Sequence, residues 1–302
     1  MQEILVRAGC FIAIIFMGYI LRRKNFFKEG DFTVLSKIVL KITLPAAIVS
    51  SFAGKEIDPA MMLISVLSLG AGVIYILLMY VINRKRGKEQ QAFEMLNTSG
   101  CNIGNFTMPF AQSFLGPMGV ITTSLFDVGN ACICLGGAYS VASIVKGGGR
   151  FSVMKIVKSL SKSVAFDCYM IMLFMTFLHI PMPQFVVSLA DIIAGANAFM
   201  AMLMLGVGFK LSGDKTQMGV IVRVLSVRYS VALILALLFY YLLPFSLEIR
   251  QALVILLFSP LASANPAFTA ELKSDVGLAS AINSISIVCS IIIIVSLLLI
   301  FL

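Results

Sequence analysis

The polar residues of this sequence that could do chemistry stand where apolar ones are expected. Asn97-Thr98-Ser99-Gly100-Cys101-Asn102-Ile103-Gly104-Asn105-Phe106-Thr107-Met108-Pro109 interrupts one long apolar run, and Ser259-Pro260-Leu261-Ala262-Ser263-Ala264-Asn265-Pro266 interrupts another. Proline removes a backbone donor and clashes with the preceding turn, while Asn and Gly offer alternatives to helical geometry, so both runs are expected to break as helices. Unwound backbone in hydrocarbon must be buried in protein or line a wet cavity, and two such breaks together point to a ligand site. A packing reading competes, because Gly100 and Gly104 also make a GxxxG and single prolines kink many membrane helices. Three Asn, two Gly and a Pro within thirteen residues exceed what a kink requires.

Ionisable groups join these breaks. Asp127 and Asn130 stand three residues apart, on one face of a helix and at the expected depth of the breaks. Arg228 and Asp167 lie about ten and nine residues into their own apolar runs, and Lys37 and Lys41 occupy successive turns of another. An ionised side chain at mid-membrane costs at least about 2.5–3.5 kcal/mol, so each is expected to be paired or to face a cavity. Asp127, Arg228 and Asp167 are open to two roles: meeting substrate or coupling ion, or compensating the partial charges at helix ends. Lys37 is near enough to an end to snorkel, and His179 lacks company for a metal site. The cysteines Cys10, Cys101, Cys132, Cys134, Cys168 and Cys289 form no metal-spaced pair and read as inert buried thiols. With no phosphate loop, triad or ligand cluster visible, no enzyme, metal or cofactor is expected.

The elements that must position these groups follow from composition. Of 302 residues 60% are hydrophobic and 12% charged, against roughly 45–50% and about 25% in a soluble domain. That excludes a soluble enzyme, a coiled coil and a disordered tail. A spanning helix needs about 20 apolar residues, and apolar runs suggest ten spans near 4–21, 32–52, 60–82, 91–115, 118–144, 158–180, 184–209, 218–243, 249–272 and 276–301. The first run lacks the basic leader and cleavage site of a signal peptide and is expected to be a span. Sorted by alternate loops, seventeen Lys and Arg, from Arg22 through Lys85, Lys155, Lys210 and Lys215 to Lys273, fall on one side. Arg7, Lys55 and Arg250 fall on the other, which puts the first set in the cytoplasm and both termini outside the cell membrane. The net charge of +9 is therefore a loop property and implies no nucleic-acid partner.

Gly147-Gly148-Gly149-Arg150 near the midpoint leaves five expected spans on each side. Two related halves with an odd number of spans must enter the membrane in opposite senses, so residues 1–150 and 151–302 are expected to be inverted five-helix repeats, with the breaks in helices four and nine. The expected class is an all-α membrane protein.

In these features the sequence resembles the auxin efflux carrier family, whose bacterial members include malonate and malate permease-like proteins. Leu44-Pro45 resembles the family's Leu-Pro at the end of span two, Asn102 to Pro109 its broken fourth span, and Asp127-Val128-Gly129-Asn130 its Asp-Leu-Gly-Asn. Pro260 opens a ninth-span segment continuing through Ala270-Glu271-Leu272 to Asp275. The resemblance implies crossing of the broken spans, a scaffold of helices 1, 2, 6 and 7 around a transport core of helices 3–5 and 8–10, a homodimer, and elevator-like movement. It also implies that Asn102 meets a substrate carboxylate with help from Asn130. Cys101 stands where plant members have Pro, and Phe199 where span seven often has Pro, so auxin recognition does not carry over closely.

The expected substrate-contacting set is Asn102, Gly104, Asn105, Pro109, Asn130, Pro260, Asn265 and Pro266, with Asp127, Arg228 and Asp167 for coupling or charge compensation. Backbone N–H groups beyond Gly104 and Pro260 would add to the amides. The expected function is transport of a small organic anion, such as malate, malonate or an indole acid, with proton or sodium as the open choices of coupling ion. A sodium/proton antiporter using Asp127 and Asp167, and a non-transporting membrane sensor, are the rival readings.

Overall fold

The computed structural model describes residues 2–28, 30–209 and 217–302. Lys210 and Lys215, counted above among the cytoplasmic cations, lie outside the described residues. The described chain is helical, without a strand beyond one isolated bridge. In order the helices are α1 Gln2–Arg23, α2 Asp31–Ile38, α3 Leu44–Phe52, α4 Leu63–Ile82, α5 Lys88–Thr98, α6 Met108–Phe114, α7 Gly116–Cys132 and α8 Ala138–Lys146. They continue as α9 Val153–Leu160, α10 Val164–Phe177, α11 Gln184–Ala194, α12 Asn197–Gly208, α13 Met218–Leu242, α14 Leu247–Leu257, α15 Asn265–Glu271 and α16 Val276–Phe301.

Seven stretches among the described residues are long and apolar enough to cross a membrane: Gln2–Arg23, Asp31–Phe52, Pro59–Ile82, Gly116–Lys146, Gln184–Gly208, Met218–Leu242 and Val276–Phe301. The pair α9 and α10, bent by 82°, raises the number to eight if it is one span. The two remaining expected spans do not form continuous rods. One divides into α5 and α6, the other into α14 and α15, and none of these four exceeds 11 residues.

Other expectations shift in detail. Pro45 does not end the second span but lies inside Asp31–Phe52, in the first turn of α3. A widened π-helical turn, Val39–Thr43, precedes it and absorbs the donor that proline lacks. Asp167 is not mid-span, because the bend between α9 and α10 puts it in the first turn of α10. A break that was not expected interrupts Gly116–Lys146, where Leu135 leaves helical geometry and Gly136 takes a φ of 140°, a conformation that L side chains rarely adopt.

Packing divides the helices into two groups. In one, α1 lies along α12, α3 packs on α10 and α11, and α12 on α2. In the other, α4 packs on α7, α5 on α8 and α13, α14 on α7 and α13, and α15 on α16. The α1–α12 crossing depends on small residues, as a Cβ on Gly206 would stand 2.0 Å from the Ile15 carbonyl oxygen, and one on Gly18 would stand 2.5 Å from that of Leu203. The groups meet where α3 packs on α7, α12 on α6 and α1 on α16, and links between them include Tyr169 to Asp127, Asn197 to Gln112, and the edge-to-face rings of Phe11 and Phe110 at 5.1 Å. Gly206→Leu is expected to force α1 and α12 apart and destabilise the fold by about 1–3 kcal/mol or more. A lower melting temperature of the purified variant in detergent checks it, and an unchanged one contradicts the crossing.

Candidate functional site

The site grows from the place where the two divided helices meet. Beyond Thr98 the chain leaves helical geometry, and Cys101 forms an antiparallel bridge with Leu261 from the break between α14 and α15. The Asn102 N–H donates to the Pro260 carbonyl at 2.9 Å. Backbone that a helix would have satisfied internally is met here by side chains. Asn130 of α7 receives the Cys101 N–H on Oδ1 at 2.8 Å and returns Nδ2 to the Cys101 carbonyl at 2.8 Å, as a neighbouring strand would. Ser286 of α16 receives the Leu261 N–H on Oγ at 3.1 Å, and Asn283 donates Nδ2 to the Ala262 carbonyl at 3.2 Å.

Arg228 stands behind this meeting point, fully buried. Its guanidinium donates to the Thr98 carbonyl and to the Ser259 carbonyl, both at 2.8 Å, and to Cys101 Sγ at 3.2 Å. It also lies over the Tyr75 ring at 5.2 Å. Those carbonyls close the runs of α5 and α14, whose C-terminal ends carry partial negative charge, so one cation neutralises both. Arg228 lines neither cavity described below. Asp127 takes the complementary place beside Gly104, at the start of the Ile103–Thr107 turn that leads into α6. Its carboxylate accepts from Asn130 Nδ2 at 3.0 Å and from the Tyr169 hydroxyl at 3.1 Å.

Two cavities flank the meeting point. One, of about 170 Å³, is lined by Asn102, Gly104, Asn105, Asp127, Asn130 and Tyr169, among others. The second, of about 280 Å³, is lined by Arg22, Asn102, Ser263, Pro266, Asn283 and Ile287, among others. Asn102 borders both. It is 4% exposed, and its Nδ2 has no hydrogen-bond partner among the described residues. Asn105 donates Nδ2 to Ser263 Oγ at 3.2 Å and leaves Oδ1 likewise unpartnered.

The expected residues thus separate. Asn102, Gly104, Asn105, Asp127 and Asn130 converge on one cavity, and Pro266 lines the other. Asn130 has both amide ends engaged by the clamp. Pro260 contributes a carbonyl to Asn102 and to Arg228, and Asn265 is buried with Nδ2 on the Ser99 carbonyl at 3.3 Å. Pro109 is buried in the first turn of α6, one turn beyond the cavities. Asp167 is exposed and does not reach Asp127; Tyr169, on the same helix, does.

Several contributors are not distinguished by sequence. Tyr75, Tyr169, Asn283 and Ser286 look like ordinary residues of apolar helices, and only the fold reveals their partners. A Glu94–Arg223 ion pair, with Asn83 Nδ2 donating to Glu94 at 3.0 Å, similarly joins α5 to α13 and the end of α4. Its signal was a carboxylate in the apolar part of the α5 sequence, beyond Glu89 in the first turn.

Residues 10–146 match the model of a family described as membrane transport protein, the auxin efflux carrier family. Over these residues the chain is similar to that family. The match runs from α1 to the end of α8 and includes the first break, Asp127 and Asn130. No curated protein matches the chain. That match and the several apolar stretches together point to a multi-pass membrane protein. For Arg228, a dipole-compensating position predicts that Arg228→Met destabilises the fold by about 2–6 kcal/mol, because each buried carbonyl left without a donor costs about 1–3 kcal/mol. Thermal unfolding of the purified variant measures this, and wild-type stability would remove the dipole-compensating role of Arg228.

Proposed function

We propose that this chain is a secondary carrier of small organic anions, carboxylates such as malate or malonate or an indole acid, in the cell membrane. The observation that carries the reading is the Asn102 amide, an unpaired N–H donor buried where two interrupted helices meet and bordering two cavities. A buried donor without a partner costs about 1–3 kcal/mol, a deficit that a bound carboxylate removes. The fixed cation nearby is already engaged by carbonyls, so the anion is held by amides and hydroxyls rather than by a salt bridge. Such a grip is modest enough to let go on the far side. Cavities of about 170 and 280 Å³ fall below the roughly 300–1,000 Å³ of sites for drug-sized ligands, which suits an acid of a few carbons better than a large one.

In this reading α5–α6 and α14–α15 are the fourth and ninth of ten spans, residues 1–150 and 151–302 are inverted repeats, and both termini face outside. The packing groups support a division of labour, with α1–α3 and α10–α12 as scaffold and the remainder as a core that slides past it in an elevator-like cycle, each carrier paired with a second copy. Asp127 would couple a proton or a sodium ion, since its carboxylate meets the scaffold through Tyr169. A monoanion gains about 2.3 kcal/mol per 100 mV on leaving a negative-inside cell, so export needs no coupling and import does.

Flux of labelled malonate, malate and indole acetate into and out of proteoliposomes tests the reading. Asn102→Ala is expected to cut flux of the carried acid by about tenfold or more, the worth of a hydrogen bond to a charged group. Wild-type flux in that variant would remove the site assignment. Cation flux with no organic anion present, abolished by Asp127→Asn, would mark an antiporter instead.

A further inference from the structure

The two sides of the meeting point are built alike but charged differently. Cys101 and Leu261 are bridge partners, and each gives its N–H to a side chain of a neighbouring helix, Asn130 of α7 and Ser286 of α16 respectively. Three residues before these acceptors, and so on the same helix faces, stand Asp127 and Asn283. Equivalent positions therefore present a carboxylate to one cavity and a neutral amide to the other.

We propose that the anion binds in the second cavity, between Asn102 and Asn283, and that Asn283 is a substrate-binding residue; this rests on the carrier reading above. Asn283 is partly exposed to the cavity and gives one of its two amide N–H groups to the Ala262 carbonyl, so the other is available to a carboxylate oxygen. Asn102, whose Nδ2 has no partner among the described residues, lines the same cavity. Ser263 adds a hydroxyl, and Ile287 offers apolar surface to the carbon skeleton. Arg22 lines the same cavity with its Nη1 on the Val207 carbonyl at 2.7 Å. The first cavity is unsuited to the same guest. An anion beside Asp127 faces a like charge whenever that carboxylate is ionised, whereas a cation there is attracted. The anion and the coupling ion then occupy different rooms that share a wall of Asn102 and Ser263.

The test is binding of malonate and of indole acetate to purified wild type and variants, followed by melting temperature and by isothermal titration. Asn283→Leu removes the donor, and Asn283→Asp puts a carboxylate where the anion is to sit. Ala267→Phe fills the cavity from α15 while leaving the Ala262 and Leu261 bonds in place, which guards against a variant that fails to fold. Each is expected to weaken binding of the acid by at least about tenfold, the Asp variant most. Asn283→Leu and Ala267→Phe with wild-type affinity, alongside an Asn102→Ala variant that has lost it, would overturn the proposal and put the anion in the Asp127 cavity. Failure of the wild type to bind either acid overturns the carrier reading itself, and with it this one.

Discussion

A helix that stops inside a membrane leaves backbone N–H and C=O groups with nothing to bond, and hydrocarbon offers no water to help. Everything around the meeting of α5–α6 with α14–α15 answers that constraint. Three kinds of group share the work. Backbone serves backbone where the Asn102 N–H reaches the Pro260 carbonyl; an amide imitates a strand where Asn130 grips Cys101; a cation collects carbonyls where Arg228 reaches Thr98 and Ser259. Among the described residues these arrangements leave over the Asn102 Nδ2 and the Arg228 Nε, and of these two residues Asn102 lines the cavities. With Asn105 Oδ1 also unpartnered at the first cavity, this remainder is where a ligand's chemistry has room to act.

Local chemistry made the interruptions legible before any coordinates. Proline, glycine and asparagine each disturb a helix by a mechanism confined to a few residues, so their crowding at 97–109 and 259–266 marks the breaks directly. The same holds for Asp127 and Asn130, whose spacing settles their shared face. Roles that depend on a partner far along the chain were not legible in this way. Arg228 reads identically as ligand contact or as dipole compensator until Thr98 and Ser259 are seen beside it, and Tyr169 reads as packing until its hydroxyl is found on Asp127. Asp167 misled because an apolar run was taken as straight. A turn at Ser161-Lys162-Ser163 redirects the chain, and the depth of everything after it changes. Leu135-Gly136-Gly137 carried the signal of a break, but a lone pair of glycines in an apolar run is equally a packing feature.

The two packing groups touch through contacts of contrasting character. Phe11 and Phe110 meet by their rings, which tolerate sliding because dispersion has little directional preference. The links from Tyr169 to Asp127, and from Thr43 through Asn197 to Gln112, are directional, with distances of 3.1 Å in the first and 2.8 Å at both steps of the second. A relative shift of even one helical residue would break them all at once. Such an interface favours discrete positions over a continuum, which is the property a two-position carrier requires.

The left-handed joint at Gly136 separates α7, which carries the Asn130 clamp, from α8, which packs on α5 and gives its Lys146 ammonium to Glu89 and to the Leu272 and Lys273 carbonyls. A rigid rod would transmit every tug on the connecting segment 147–152 down to Cys101. An elbow does not. Traffic on that segment, whatever binds or bends it, is absorbed at the joint and at the Lys146 staple, and the delicate backbone beneath keeps its registry.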